Sequence, residues 1–303
     1  MKIIMTGATG YIGKKLIQRL HEEGHEVCIA VRKKSDIASV KKWVCEVVFM
    51  EELQELYEGL NTFKPEMYIN VAGFYCGTHT KEQVAELIQG NVIFETYVID
   101  AAVQAGACRY VLNTTSMQQM SNGVNYSPMN LYAATKQAYE DILYYYYSSG
   151  AVSVINLQLF DTYGEDDTRR KVFNLVRMLD ENESIDMSPG EQKMFFVHIS
   201  DVVEAYMQAL KLFCESCENV YVKYAVRGNE TISLIDFVNI YMEQINCNKI
   251  IHWGGRPYMM NEIMDPNGYG VVLPGWKPII SYQEGARKCA EYDNYKNEAG
   301  REV

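Results

Sequence analysis

Three glycines, at positions 7, 10 and 13 of the stretch TGATGYIG, come directly after the apolar run Ile3-Ile4-Met5 and open a helical pattern running from Tyr11 to about Glu23. Giving up side chains at this spacing lets Gly7 and Gly10 turn the chain tightly and approach a ligand, while Gly13 lets the helix lie close to the strand. The helix start directs its free amide N–H groups and positive dipole end at the loop, which suits a pyrophosphate. Spaced glycines alone also make a plain turn. Following a first strand and opening a helix, however, is the context of a dinucleotide-binding loop.

Further along, short apolar runs alternate with longer helical patterns: Glu26–Val31, a weak helix, Glu46–Met50, Met67–Val71, a helix over about Thr80–Ala105, Tyr110–Thr114, a helix over about Leu131–Ser149, and Ser153–Phe160. Strands separated by helices predict an α/β fold, a parallel sheet covered on both faces and doubly wound in the Rossmann manner. After Tyr163-Gly164 the rhythm breaks into charged clusters (EDDTRRK, DENES), a turn at Ser188-Pro189-Gly190 and a Gly/Pro-rich stretch from Gly254 to Pro278. This predicts a dinucleotide-binding domain at residues 1–163 and a smaller mixed C-terminal substrate cap at 164–303. Residues 195–226 resume a strand-helix-strand pattern and are expected to rejoin the main sheet.

Composition narrows the partners. A formal net charge of -11, from 28 Lys plus Arg against 39 Asp plus Glu, argues against binding a nucleic-acid backbone. The eight cysteines are scattered through apparent core segments, which fits a reducing compartment. Only Cys214 and Cys217 form a CxxC; with no second pair nearby, no metal site is expected. The glycine loop interrupts any apolar segment a signal peptide would need, and no apolar run reaches the roughly 20 residues that span a bilayer. A cytoplasmic protein without membrane contact is expected.

The end of the second strand reads AVRKKSD. An acidic residue there would accept bonds from the adenosine ribose; Arg32 and Lys33, followed by Lys34, instead offer positive charge to a 2′-phosphate, so NADP(H) is expected over NAD(H). A solvated basic loop is the alternative. Two further stretches carry chemistry. LYAATKQAYED places Tyr132 and Lys136 one helical turn apart, where an ammonium would stabilise a phenolate and fit the tyrosine for proton exchange with a carbonyl or hydroxyl. RYVLNTTS ends a strand in hydroxyls, and in a parallel sheet ligands bind beyond such ends. Ser116 is the expected holder of the reacting oxygen, with Thr115 its nearest rival.

With these residues in place, the chain resembles the extended short-chain dehydrogenase/reductase family, in its nucleotide-sugar epimerase, dehydratase and reductase branch. The resemblance rests on TGATGYIG, Asn70-Val71-Ala72-Gly73, Asn91 in GNVIFETYVIDAA, the Ser116 strand end, Tyr132-xxx-Lys136, FFVHISDVVEAY and LPGWKPIISYQEGARK. It implies that Tyr132 is the acid/base, that Lys136 binds the nicotinamide ribose and tunes the tyrosine, and that Ser116 positions the sugar oxygen. Gly7, Gly10, Tyr11, Ile12 and Gly13 would line the pyrophosphate, and Val71, Ala72, Gly73 and Asn91 complete the expected cofactor set. LFDTYGEDDTRRKVFNLV and SIDMSPGEQKMFFVHISDVVEAY look most like the CDP-abequose/CDP-paratose synthase group. The implied reaction is NADPH-dependent reduction at C4 of a 4-keto-deoxyhexose carried on CDP or dTDP.

Two departures from the family pattern stand out. Many relatives have an asparagine, which helps hold the substrate diphosphate, where this chain has Asp161; a carboxylate cannot donate that bond at neutral pH. Arg169, Arg170, Lys193 and Arg256 are the candidate replacements, since cationic groups suit phosphates. The Tyr-Gly pair that commonly follows the serine strand is replaced by MQQMSNGVNYSP, which leaves the sugar open. His198 either lines the pocket or is a core histidine. The apolar faces over 91–105 and 131–149 could be core; the resemblance implies that these helices pair across a homodimer. An NAD-dependent 4-epimerase is the alternative enzyme, and a non-catalytic NADP-binding redox sensor the alternative from another class.

Overall fold

Ile3, Ile4 and Met5 are all fully buried, as a strand covered on both faces requires. The computed structural model describes residues 1–121, 125–169, 175–176, 179, 183–215, 219–245, 249–266 and 268–301. Its first strands are β1 (Lys2–Thr6), β2 (Glu26–Val31), β3 (Glu46–Phe49), β4 (Met67–Asn70), β5 (Tyr110–Ser116) and β6 (Ser153–Leu159). Then come β7 (Asp161–Tyr163), β8 (Ser184–Met187), β9 (Lys193–Met194), β10 (Phe196–His198), β11 (Tyr221–Val226), β12 (Ile232–Ser233) and β13 (Ile250–Trp253). Seven of them form one sheet in the order β11-β6-β5-β4-β1-β2-β3, and every pairing in it is parallel. The order reverses between β1 and β4, so a crevice opens above their carboxyl ends.

Alternate residues of each strand serve opposite faces. Ile3 and Met5 pack with Leu16, Ile17 and Leu20 of α1 (Tyr11–Glu22). Ile4 faces the other layer, built from α2 (Leu53–Phe63), α4 (Phe94–Gln104) and α5 (Leu131–Ser148), with α3 (Lys81–Ile88) preceding α4. The next helix, α6 (Ile199–Glu215), joins α1 on the first face through Val202, Tyr206, Ala209 and Phe213.

The weak helix expected after β2 is only a short 3₁₀ turn at Lys41–Trp43, whereas α2 went unread. The helix expected over Thr80–Ala105 divides into α3 and α4 at a π turn, Gln89–Ile93.

Polar residues run through the middle of this sheet. Thr6, Asn70, Asn113 and Asn156 are 0% exposed and sit side by side in register. The Thr6 hydroxyl donates to Asn70 Oδ1 at 3.0 Å, the Asn70 amide to Asn113 Oδ1 at 3.1 Å, and the Asn113 amide to Asn156 Oδ1 at 2.8 Å. Buried amides are tolerated where they satisfy one another. Asn70 Oδ1 also accepts from Ala72 N at 3.1 Å, which shapes the chain as it leaves β4.

Beyond β6 the chain builds three two-stranded sheets, β7 with β10, β9 with β12 and β8 with β13. They pack with α7 (Leu234–Ile245) and α8 (Tyr282–Arg301) around Phe196, Phe237, Tyr241 and Cys289. Within 195–226, β11 is an edge strand of the main sheet while Phe196–His198 pairs with β7 outside it. No helix of the described residues is long and apolar enough to cross a membrane.

Asp201 near the start of α6 ties the C-terminal segment to this frame. Its carboxylate, 3% exposed, accepts from Ile279 N at 3.1 Å and Ile280 N at 3.0 Å, and Trp276 Nε1 donates to its carbonyl at 3.0 Å. Asp201→Asn turns an amide N–H toward one of those donors, which costs about 2 kcal/mol. The thermal midpoint should fall by about 5 °C; an unchanged midpoint in a thermal melt would contradict this reading.

Candidate functional site

The β1–α1 loop is held by contacts that leave no space for side chains. Gly7 has φ +72°, and a Cβ there would stand 2.5 Å from Ala72 N; a Cβ on Gly13 would stand 2.0 Å from the Gly7 carbonyl oxygen. The helix that follows has Gly10 as its N-cap, with no side-chain cap and no acidic residue in its first turn. Its N-terminal amides are therefore open to an anion.

Two cavities flank this loop and share Gly7, Gly10, Val71, Ala72 and Gly73. The larger, about 660 Å³, holds Tyr11, Ile12, Gly13, Thr115, Ser116, Tyr132 and Lys136 in its wall. The smaller, about 180 Å³, is walled by Thr9, Arg32, Ser35, Phe94 and Glu95 among others. An uncapped helix start between two lobes fits a dinucleotide, with one nucleoside to either side of its diphosphate.

Lys136 is 2% exposed and donates to Ala72 O at 3.3 Å. Burial pushes its pKa down, against the opposing charges of Glu95 and Glu140. Tyr132 departs from expectation. Burial pushes its phenol well above the usual value, Tyr75 adds to the rise, and Arg169 is the cation that opposes it. Lys136 is not among the groups that move the phenol.

The strand-end hydroxyls also differ from one another. Ser116 Oγ caps a 3₁₀ turn, Met117–Gln119, by accepting from Gln118 N at 3.2 Å. Thr115 Oγ1 is buried and has no hydrogen-bond partner among the described residues.

Asn91 is absent from both walls. Its side chain accepts from Phe74 N at 2.6 Å and donates to Phe74 O and to Thr135 Oγ1, each at 2.9 Å. The Thr135 hydroxyl in turn donates to the Tyr132 carbonyl at 2.8 Å. Asn91 thus ties the loop after β4 to α5 beside Tyr132, and the π turn carries it there.

The basic candidates separate. Arg32 lines the smaller cavity, whereas the Lys33 ammonium pairs with Glu52 and is absent from both walls. Arg169 lines the larger cavity, but Asp167 binds its guanidinium at 2.6 and 2.8 Å, and it lies over the Tyr11 ring. Lys193 pairs with Asp265 at 3.5 Å outside the cavity. Arg256 is exposed in a cap loop near Glu262, also outside it. Arg170 and Cys217 lie outside the described residues. Buried His198 meets Glu165 at 3.2 Å, away from the cavity wall, and this partner holds the Glu165 carboxyl down at about 2.

Thr114, Leu159 and Thr162 also line the larger cavity, as do Tyr75, Cys76, Gly77, Gln118 and Phe160, and none of these was singled out from sequence. The available signal was position, since Tyr75–Gly77 leave β4 at the carboxyl edge of the sheet.

The sequence matches the model of the NAD dependent epimerase/dehydratase family over residues 3–221. The chain belongs to that family. Curated relatives of this family member include the CDP-abequose synthase of Salmonella typhimurium, 28% identical across 93% of this chain and 95% of that protein. The CDP-abequose synthase of Yersinia pseudotuberculosis is 27% identical across 88% and 92%. Among solved structures, the UDP-glucose 4-epimerase of Thermotoga maritima with UDP-glucose superposes with a TM-score of 0.81 at 17% identity, covering 98% of this chain and all (100%) of that one. The UDP-glucuronic acid 4-epimerase of Bacillus cereus, in complex with UDP-glucuronic acid and NAD, gives the same TM-score of 0.81, identity of 17% and coverage of 98% and 100%. These two show the fold that this family member shares.

Gly13→Ala tests the loop. The added methyl must displace either the Gly7 carbonyl or the helix start, so dinucleotide affinity should fall at least about tenfold and the thermal midpoint by about 5 °C. Gly24→Ala is the control for binding, because a Cβ there meets nothing within 4 Å; at φ +79° it lowers the midpoint without touching the loop. Calorimetric binding of both variants decides; a Gly13→Ala protein that binds like the parent would mean the loop does not hold the ligand.

Proposed function

We propose that this protein uses NADPH to reduce the C4 carbonyl of a 4-keto-deoxyhexose carried on CDP or dTDP, with Tyr132 as the proton donor. The observation that carries the proposal is that Tyr132, Lys136, Thr115 and Ser116, from two separate segments of the chain, line one cavity beside the glycine loop. The relation to CDP-abequose synthases over most of both chains supports the substrate class.

When bound, the reduced nicotinamide supplies the hydride. The chain's own residues do the rest. The Gly10–Gly13 amides bind the diphosphate, and Lys136, anchored on Ala72 O, offers its remaining N–H bonds to the ribose. Thr115 Oγ1 hydrogen-bonds the substrate carbonyl oxygen. As C4 gains its C–H bond and the carbonyl π bond breaks, Tyr132 gives its proton to that oxygen and completes the alcohol. The ammonium of Lys136 then faces the phenolate left behind.

Arg32 at the smaller cavity supports a 2′-phosphate, and Lys33, held by Glu52, does not contribute.

Four substitutions test the assignment. Tyr132→Phe should lower kcat roughly 10³-fold with NADPH affinity unchanged. Thr115→Val should lower kcat/KM roughly 10²-fold and Ser116→Ala much less; the opposite order would return the role to Ser116. Substrates are 4-keto sugars on CDP and dTDP, followed by loss of NADPH absorbance. Arg32→Asp should move the NADPH/NADH preference at least about tenfold toward NADH; an unchanged ratio would make Arg32 a surface residue. Tightly retained NAD with 4-epimerisation and no net oxidation would replace the reductase reading.

A further inference from the structure

We propose that the dinucleotide binds this protein together with one proton, and that the proton goes to Glu95; the proposal rests on the reading of the glycine loop as a cofactor site. Glu95 lies on α4, is 1% exposed, and lines the smaller cavity with Gly7, Gly10 and Arg32. The reaction derived above leaves this carboxyl group without a role.

The contacts around Glu95 are short of one hydrogen. The Thr6 hydroxyl stands 3.0 Å from Asn70 Oδ1 and 3.0 Å from Glu95 Oε2, yet carries a single hydrogen. Asn70 Oδ1 only accepts, and the other end of that amide serves Asn113. When Thr6 gives its hydrogen to Asn70, its contact with Glu95 needs a hydrogen from the carboxyl. Tyr68 donates to the same Oε2, a bond that either form of the acid accepts. Oε1 is buried with no partner among the described residues. A neutral carbonyl oxygen bears that isolation at lower cost than half of a carboxylate charge.

The groups facing Glu95 are Thr6 from β1, Tyr68 from β4, and Lys136 and Tyr139 from α5, with Arg32 in the same cavity wall. Tyr139 donates to the Glu95 main-chain carbonyl at 3.3 Å. Burial raises the carboxyl above its ordinary range, opposed by the bond from Tyr68, the charge of Lys136 and the bond from Thr6. A dinucleotide tips this balance. It displaces solvent from the cavity and brings a diphosphate beside the shared wall, so the carboxylate takes a proton from solvent and an O–H bond forms at Oε2. The diphosphate then supplies the negative charge that Lys136 loses at Glu95.

The loaded protein holds its proton more tightly than the free one, so uptake peaks between the two pKa values. Dinucleotide affinity is highest below that window and falls as pH rises through it, by up to about tenfold per pH unit. Titration calorimetry of the full chain with NADP⁺ and with NAD⁺, in buffers of differing ionisation enthalpy from about pH 5 to about pH 9, counts the protons. NAD⁺ is included because it lacks the 2′-phosphate, which itself exchanges protons. Wild type should take up at least about half a proton per dinucleotide at the maximum with either ligand. Glu95→Gln, close in shape to the neutral acid, should lose this uptake while still binding. Tyr68→Phe removes a bond that favours the carboxylate and should move the maximum to higher pH; it decides alone if Glu95→Gln does not fold or bind. Binding without uptake at any pH, uptake that persists in Glu95→Gln, or a maximum that Tyr68→Phe leaves in place overturns the role of Glu95 and leaves the cofactor reading standing. If neither dinucleotide binds the wild-type protein, the cofactor reading falls and the proton coupling with it.

Discussion

The close approach of Gly13 to the Gly7 carbonyl sets the geometry on which the rest depends. It brings the start of α1 down onto the end of β1, while Gly7 at φ +72° lies directly against the backbone of Ala72. Three segments from different parts of the chain thus meet without an intervening side chain. The two cavities share their walls at this junction, and a ligand bridging them would lie along the uncapped helix start. Any bulk at these positions would separate β1 from the loop after β4 and with it the buried Lys136, whose ammonium is anchored on Ala72 O.

Tyr132 and its helix are oriented by buried polar contacts more than by apolar packing. Asn91 clamps Phe74 and Thr135, Thr135 holds the Tyr132 carbonyl, and Asn130 caps the helix that carries Tyr132 and Lys136. Underneath, the register-matched Thr6–Asn70–Asn113–Asn156 ladder joins four strands through their side chains. Amides permit only a few satisfied arrangements in a dry interior, so such contacts fix orientation where apolar neighbours would allow sliding. The π turn at Gln89–Ile93 belongs to the same scheme, because it supplies the local geometry at Asn91.

Much of this was legible from sequence because the signals were local. Apolar runs and glycine spacing marked the strands, the crossover helices and the loop; Tyr132-xxx-Lys136 marked the helix that carries the phenol. Helix α2 was missed because Glu52 gives its start no side-chain cap and its buried face is only Leu56, Leu60 and Phe63. The division of the 80–105 helix had no local marker either. Sequence also could not show that Ser116 Oγ accepts from the backbone while Thr115 Oγ1 does not, because the turn that makes the difference forms after the strand ends. Lys33 was drawn off by Glu52 across β3, and Tyr75 entered the cavity through tertiary packing, so neither was visible in linear spacing.

The electrostatics of the site follow from the same dryness. Lys136 is buried without a direct ion pair among the described residues, and the charges of Glu95 and Glu140 act on it from a distance. Glu95 is itself 1% exposed and is held by Tyr68 and by Thr6 at 3.0 Å, with burial raising its pKa. Glu140 pairs instead with Lys223 at 2.7 Å. Each carboxylate thus has its own partner and stays out of contact with the ammonium, which keeps its N–H bonds for a ligand. A direct ion pair would keep Lys136 charged more firmly, but it would turn those bonds inward. In a low-dielectric cavity a charge held at a distance still favours the ammonium while leaving its donors free.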